Sequence, residues 1–282
     1  TSDYAHVGTG HGFIVAGGNG SGSSLNQFNP SEVYVDGSGN IYVLDYGNHR
    51  LLKFSNNSNS SSNGVIVVGG NGSGTNLNQL DHPIGFTIDG SGNVYVLRAN
   101  DVLKFPSNST SSTDGTIIIG GNGSGNAANQ LSGSTARIII DGSGNFLISD
   151  RFNHRIQKFP SNSTSSTNGA TIAGRGVWSG DGLSLNELQY PFAMVLDNSG
   201  RLYAADSHNR IMRFPSDSYL GTNGTFFAGG NGYGSALNQP VAYGLAIDGD
   251  ENVYVADVEN HRILKFPSNS TSSTNGVVVA GG

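Results

Sequence analysis

The sequence predicts an all-β fold, a β-propeller of four-stranded antiparallel blades, and three observations carry that expectation. A turn motif recurs along the whole chain: Asp36-Gly-Ser-Gly-Asn40 returns at residues 89–93 and 141–145, then as Asp197-Asn-Ser-Gly-Arg201 and Asp248-Gly-Asp-Glu-Asn252. The intervals are 53, 52, 56 and 51 residues. A fixed period of this length marks units that cannot bury an apolar face without a neighbour. Apolar residues come in short regular runs between long polar stretches, while helical periodicity is nearly absent. Four such runs fall in each repeat, which is the strand count of one blade.

The second copy shows the elements in order. Ile84-Gly-Phe-Thr-Ile88 is a short apolar run, and the glycines of Asp89-Gly-Ser-Gly-Asn93 permit the positive φ of a tight turn. Val94-Tyr-Val-Leu97 and Val102-Leu-Lys-Phe105 follow as the second and third strands. A long polar connection from Pro106 to Gly115 leads to the fourth, Thr116-Ile-Ile-Ile119. Gly-Gly-Asn-Gly and Asn-Gln-Leu segments then pass to the next copy, with a single turn expected around Leu77-Asn78-Gln79.

The link between the second and third strands reads Asp45-Tyr-Gly-Asn-His-Arg50, Asp150-Arg-Phe-Asn-His-Arg155 and Asp257-Val-Glu-Asn-His-Arg262. It is one residue short at Asp206-Ser-His-Asn-Arg210 and mostly lost at Arg98-Ala-Asn-Asp101. With the preceding Gly-Asn-(Ile/Val/Phe)-Tyr-Val pattern, it resembles the NHL repeat, from about Gly12 to the end of the chain. That resemblance implies a propeller, usually six-bladed. Here five full copies predict five blades, and a sixth, partial blade built from Thr1–Gly18 is the alternative.

The repeat crosses the chain without a composition break, so residues 1–282 form one domain. The repeats run over about 19–70, 71–121, 122–174, 175–230 and 231–282, after an N-terminal segment 1–18. That segment holds a surplus. Phe13-Ile14-Val15-Ala16-Gly-Gly matches the fourth strand of a blade, as does Val277-Val-Val-Ala-Gly-Gly282. The last blade thus owns its outer strand already, and Phe13–Ala16 is left over. Unpaired strand edges are templates for association, so the expectation is head-to-tail self-assembly through this strand.

A net charge of −6 disfavours nucleic acid and anionic membranes as partners, although some NHL proteins bind RNA. No apolar run approaches the eighteen residues of a membrane span. No signal peptide is visible at Thr1, so secretion would require one already removed. Cysteine is absent, which excludes disulfides and thiolate sites.

Secretion is the expectation because Asn-x-Ser/Thr acceptors recur at equivalent points of successive copies. Asn108, Asn162 and Asn269, with Asn56 and Asn59 in the first copy, lie in the connection between third and fourth strands. Asn19, Asn71 and Asn122 lie in the Gly-Gly-Asn-Gly step, and Asn223 in the fourth copy. N-linked glycans are therefore expected on one face and the rim.

Some NHL-type propellers are zinc-dependent lyases, and related ones are hydrolases. His49, His154 and His261 occupy equivalent positions in different blades, however, and zinc needs its ligands within about 2.0–2.3 Å. They are assigned instead to the turn, where Asp45 and Arg50 pair and Asn braces it. No catalytic residue, metal site or cofactor is expected. The departures from the repeat are the better candidates for a partner or ligand site. Glu32 and Arg137 stand early in the innermost strands of blades one and three, where the other copies have Gly85, Ala193 and Gly244. They could face each other across the channel mouth. Arg175, Trp178, Asp181, Glu187 and Tyr190 form a divergent link, with Glu187 replacing the Gln of positions 27, 79, 130 and 239. An amphipathic surface patch is expected there. His82, Arg98 and Asp101 are expected to be surface residues. The expected function is a secreted, glycosylated, non-catalytic scaffold binding protein partners or itself. A propeller lyase or hydrolase working at the channel mouth is the alternative.

Overall fold

The computed structural model describes residues 12–133, 136–176 and 183–282. Its strands form five four-stranded antiparallel sheets in a ring, a five-bladed propeller with no α-helix among the described residues. Blade 1 consists of β1 (Pro30–Val35), β2 (Ile41–Asp45), β3 (Arg50–Phe54) and β4 (Val65–Gly69), paired in chain order. Blades 2 to 5 repeat that order over residues 85–120, 138–174, 193–229 and 242–281. Antiparallel order puts every second-to-third-strand turn and every inter-blade link at one face, and the third-to-fourth connections at the other.

The alternation of each strand supplies two apolar faces. Leu44, Leu51 and Val68 pack with Phe86, Val96 and Leu103 of blade 2. Comparable clusters join blades 2 to 3, 3 to 4 and 4 to 5. The opposite face of blade 1, Val43, Leu52 and Phe54, is covered by Leu25 and Phe28 of its own link. A bulge falls at the same point of every outer strand, as between Leu51 and Leu52 against Val68 and Ile66. It adds the local twist that blades need.

The recurrent turn is closed by its first residue. Asp36 Oδ1 accepts the N–H groups of Ser38 and Asn40 at 2.9 Å, and Oδ2 accepts the Asn40 side chain. Gly39 sits at φ +79°, which glycine adopts without penalty. These hydrogen bonds outweigh the cost of burial and hold the Asp36 carboxyl below its ordinary value.

Two expectations are corrected. Phe13–Ala16 is not a strand. Val15 and Ala16 bend, Ser58 Oγ donates to the Val15 carbonyl at 2.7 Å, and Ala16 packs against the blade 1 cluster. The physical reason is that an outer strand needs a third strand beside it, and β3 is already taken by β4. Arg98 and Asp101 are not surface residues but lie 6 % exposed in the interior. They form the charge pair of the turn with its order reversed, Arg98 Nη2 to Asp101 Oδ2 at 2.7 Å.

Candidate functional site

The face carrying the second-to-third-strand turns is built by one repeated device. In blade 1, Asp45 Oδ1 accepts the Asn29 N–H, and Oδ2 accepts Asn48 Nδ2 and Arg50 Nε at 2.8 Å. The rest of the Arg50 guanidinium donates to the carbonyls of Ser23, Ser24 and Gln27 in the incoming link. Asp150 with Arg155 and Asp257 with Arg262 do the same in blades 3 and 5. The pair therefore ties each link to its blade, and the Asp is wholly buried because every oxygen has a donor.

Two of the three histidines, His49 and His154, have a specific job that spacing alone does not reveal. His49, His154 and His261 all sit at positive φ, between 52° and 54°. His49 Nδ1 accepts the backbone N–H of His82 at 3.2 Å, and His154 Nδ1 accepts that of Tyr190 at 3.3 Å. His82 and Tyr190 are themselves at φ +45° and +46°, each directly before a proline. An imidazole must be neutral to accept such a bond, and burial lowers the His154 pKa below its ordinary value. Burial, then the nearby His82, does the same for His49. The Pro after His82 and Tyr190 was the available signal.

Among the described residues, His49, Asp81 and His82 bring potential metal-ligand atoms within 4.8 Å of one another. Their hydrogen bonds close the group on itself. His49 Nδ1 is taken by the His82 N–H, and Asp81 Oδ1 accepts Ser73 Oγ at 2.6 Å and pairs with His82 Nδ1 at 2.7 Å.

At the channel mouth, Glu32 of β1 and Arg137 of blade 3 meet. Arg137 Nη1 lies 2.7 Å from Glu32 Oε1, and Glu32 Oε2 accepts the Phe86 N–H at 2.8 Å. The pair spans blades 1 and 3, with blade 2 between them. Burial raises the Glu32 pKa to about 7, against the pull of Arg137 and the Phe86 N–H.

The divergent link is only partly in view, since Trp178 and Asp181 lie outside the described residues. Glu187 is not part of an exposed patch, being 4 % exposed. In the other blades the equivalent Gln donates its side-chain N–H to a link carbonyl, as Gln27 does to Asn19 and Gln79 to Asn71. A carboxylate cannot donate, so Glu187 instead takes Arg175 at 3.3 Å. Tyr190 packs against His154 in a tilted contact at 4.5 Å and edge-to-face against Phe152 at 5.6 Å, between ring centroids.

The acceptor asparagines divide into two kinds. Asn71 Nδ2 donates to the carbonyls of Asn78 and Ser111, and Asn122 Nδ2 to those of Asn129 and Ser165. Asn19 does the same with Asn26 and Ser60, and Asn231, which is no acceptor, with Asn238 and Ser272. This asparagine clips link to loop. Asn108, Asn162, Asn223 and Asn269 are exposed in the opposite-face connections, as are Asn56 and Asn59. Asn56 Nδ2 donates to the Ser38 carbonyl.

A family model of the NHL repeat matches residues 29–54 and 243–266. No curated protein matches the chain in sequence. Among solved structures, the chain is similar to a streptogramin B lyase, with TM-score 0.53 and 13 % identity over 85 % of this chain. It is also similar to a protein of unknown function from Bacteroides thetaiotaomicron, with TM-score 0.61 and 16 % identity over 83 % of this chain. The matches span 65 % and 58 % of those two chains. At these identities the likeness is one of fold. No helix among the described residues is long and apolar enough to cross a membrane. NHL repeats thus match in blades 1 and 5 of a five-bladed β-propeller, a fold that suits a scaffold or interaction role.

Proposed function

We propose that the protein is a secreted, N-glycosylated, non-catalytic scaffold that associates with itself head to tail. One observation carries the association: among the described residues, none covers the face of blade 5 turned away from blade 4. Its outer strand, Val277–Gly281, is exposed along its whole length, with Val277 at 62 % and Val278 and Val279 at 41 %. The outer strands of the other four blades bury their last two or three residues. Ala256 and Ile263 are half-buried, whereas their counterparts Leu44 and Leu51, or Ala205 and Ile211, are fully buried. At the other end of the chain, Phe13 and Ile14 are 77 % and 54 % exposed. A wall at one end and an apolar segment at the other make a heterologous contact, which propagates.

The exposed acceptors Asn108, Asn162 and Asn269 support glycosylation on the face opposite the turns, away from the channel mouth described above. A lyase or hydrolase using Glu32 and Arg137 is less well supported, because both carboxylate oxygens are already engaged. The test is mass in solution. The chain should form concentration-dependent assemblies that removal of residues 1–16, or Val279→Asp, returns to monomers. An identical mass for all three would overturn the association. Native protein that shows no mobility shift after glycosidase treatment would overturn the glycan assignment.

A further inference from the structure

The channel mouth on the turn-bearing face opens into a cavity of about 570 Å³ to which every blade contributes a residue. We propose that this cavity binds one ring of an acidic carbohydrate, a uronate, holding its carboxylate on Arg137 and Arg151 and its ring face on aromatic side chains. The proposal rests on the reading of this protein as a binding scaffold and names a ligand class for it.

The cavity lies in the size range of small-molecule sites, roughly 300–1,000 Å³. Blade 3 supplies the cationic wall. Arg151 lies in the single 3-10 turn after the second strand, and no carboxylate among the described residues is within ion-pair distance of it. Its guanidinium sits 5.7 Å from the Phe152 ring. Arg137 has one nitrogen on Glu32. The Nε–H groups of both arginines are buried without an acceptor among the described residues, a state that is costly to maintain. A guanidinium binds a carboxylate through two parallel hydrogen bonds, and both arginines line this cavity, so their terminal nitrogens suit an entering carboxylate.

Two aromatic pairs supply the other walls. Phe192 and Tyr243, from blades 4 and 5, lie 5.1 Å apart between ring centroids, and Tyr243 is 62 % exposed on an innermost strand. Tyr46 and His82, from blades 1 and 2, lie 5.0 Å apart. Flat aromatic faces take the C–H face of a sugar ring, while an isolated anion has no use for them. Of the acidic groups at the mouth, Glu32 is paired with Arg137, and Asp81 Oδ1 is engaged by Ser73 Oγ and His82 Nδ1. A ring that carries both a carboxylate and a C–H face matches what is present.

Calorimetric titration of the full chain tests this, with sodium glucuronate, glucose and sodium acetate as probes. Glucuronate should bind saturably at one site per chain, and glucose and acetate at least tenfold more weakly. Arg151→Gln and Tyr243→Ala should each weaken glucuronate binding at least tenfold with an unchanged circular dichroism spectrum. Tyr243 is exposed, so its truncation leaves the fold intact even if Arg151→Gln does not. Absence of saturable binding, equal binding of acetate or glucose, or full affinity in the Tyr243→Ala variant would each overturn the proposal. The site lies within one chain, so its failure leaves the mass measurements on self-association unaffected.

Discussion

Arg98 donates two hydrogen bonds of 2.7 Å to Asp101, in the turn where every other blade places the aspartate before the arginine. The reversed pair keeps the same task. Arg98 Nη1 still reaches the carbonyls of Thr75, Asn76 and Gln79 in the incoming link. Breaking a buried pair from one side leaves the other charge uncompensated, at a cost of about 3–5 kcal/mol. Arg98→Met should therefore lower the denaturant midpoint of the chain by a large margin. A loss under about 1 kcal/mol would show that the pair is not what joins link and blade.

The burial of Glu32, only partly offset by Arg137, gives the molecule a pH dependence of definite sign. The folded-state pKa of Glu32 is raised from 4.5 to about 7, first by burial. Between those values the folded chain holds a proton that the unfolded chain has released. Stability from this group is therefore fully present below pH 4.5 and declines as pH rises to 7, by on the order of 3 kcal/mol. Glu32→Gln cannot titrate. Its thermal midpoint should fall less than that of the parent between pH 4.5 and 7, and parallel curves would exclude the assignment.

Much of this was legible in the sequence, for a physical reason. Turn glycines, alternating strands and the Asp–Asn–His–Arg link all act locally, so their repetition exposes the blade directly. Position 32 against position 137 was also readable, because both depart from small residues at one register of the innermost strand. Arg98 and Asp101 were misread because a pair of charges satisfies the same geometry in either order, while a motif is written in one. Glu187 was misread because its burial depends on Arg175, twelve residues away, taking the place of a donor. Phe13–Ala16 has the composition of an outer strand, yet a strand forms only where a ladder partner exists.

Glu251 occupies the turn position that is Gly39, Gly92, Gly144 and Gly200 elsewhere, at φ +62° against +77° to +81°. A left-handed backbone costs a residue with Cβ about 1–2 kcal/mol, while glycine loses up to about 1 kcal/mol in chain entropy. Its compensation is a contact of 2.9 Å to Arg201 across the seam between blades 4 and 5, and an exposed pair of that kind contributes about 0–1 kcal/mol. Glu251→Gly should thus change stability by less than about 1 kcal/mol, on the stabilising side. A marked loss in chemical denaturation would mean that the Arg201 contact holds the seam.

The two classes of acceptor asparagine should respond oppositely to mutation. Asn71 and Asn122 each use their side-chain N–H groups on two backbone carbonyls, one in the link and one in the third-to-fourth connection. A glycan on Nδ2 removes one of those donors, and substitution by Ala removes both. Asn71→Ala should therefore destabilise the chain by about 0.5–1.5 kcal/mol, the net worth of such solvent-accessible hydrogen bonds. Asn108 and Asn162 are exposed and their side chains brace no link. Asn108→Gln should be neutral to stability within about 0.5 kcal/mol, yet remove one glycan from protein made in a glycosylating host. Intact-mass measurement reads the second effect and thermal unfolding the first. If Asn71→Ala leaves stability unchanged while the Asn71 glycopeptide of the parent protein is found fully occupied, the clip is dispensable and the assignment of glycans to the opposite face fails.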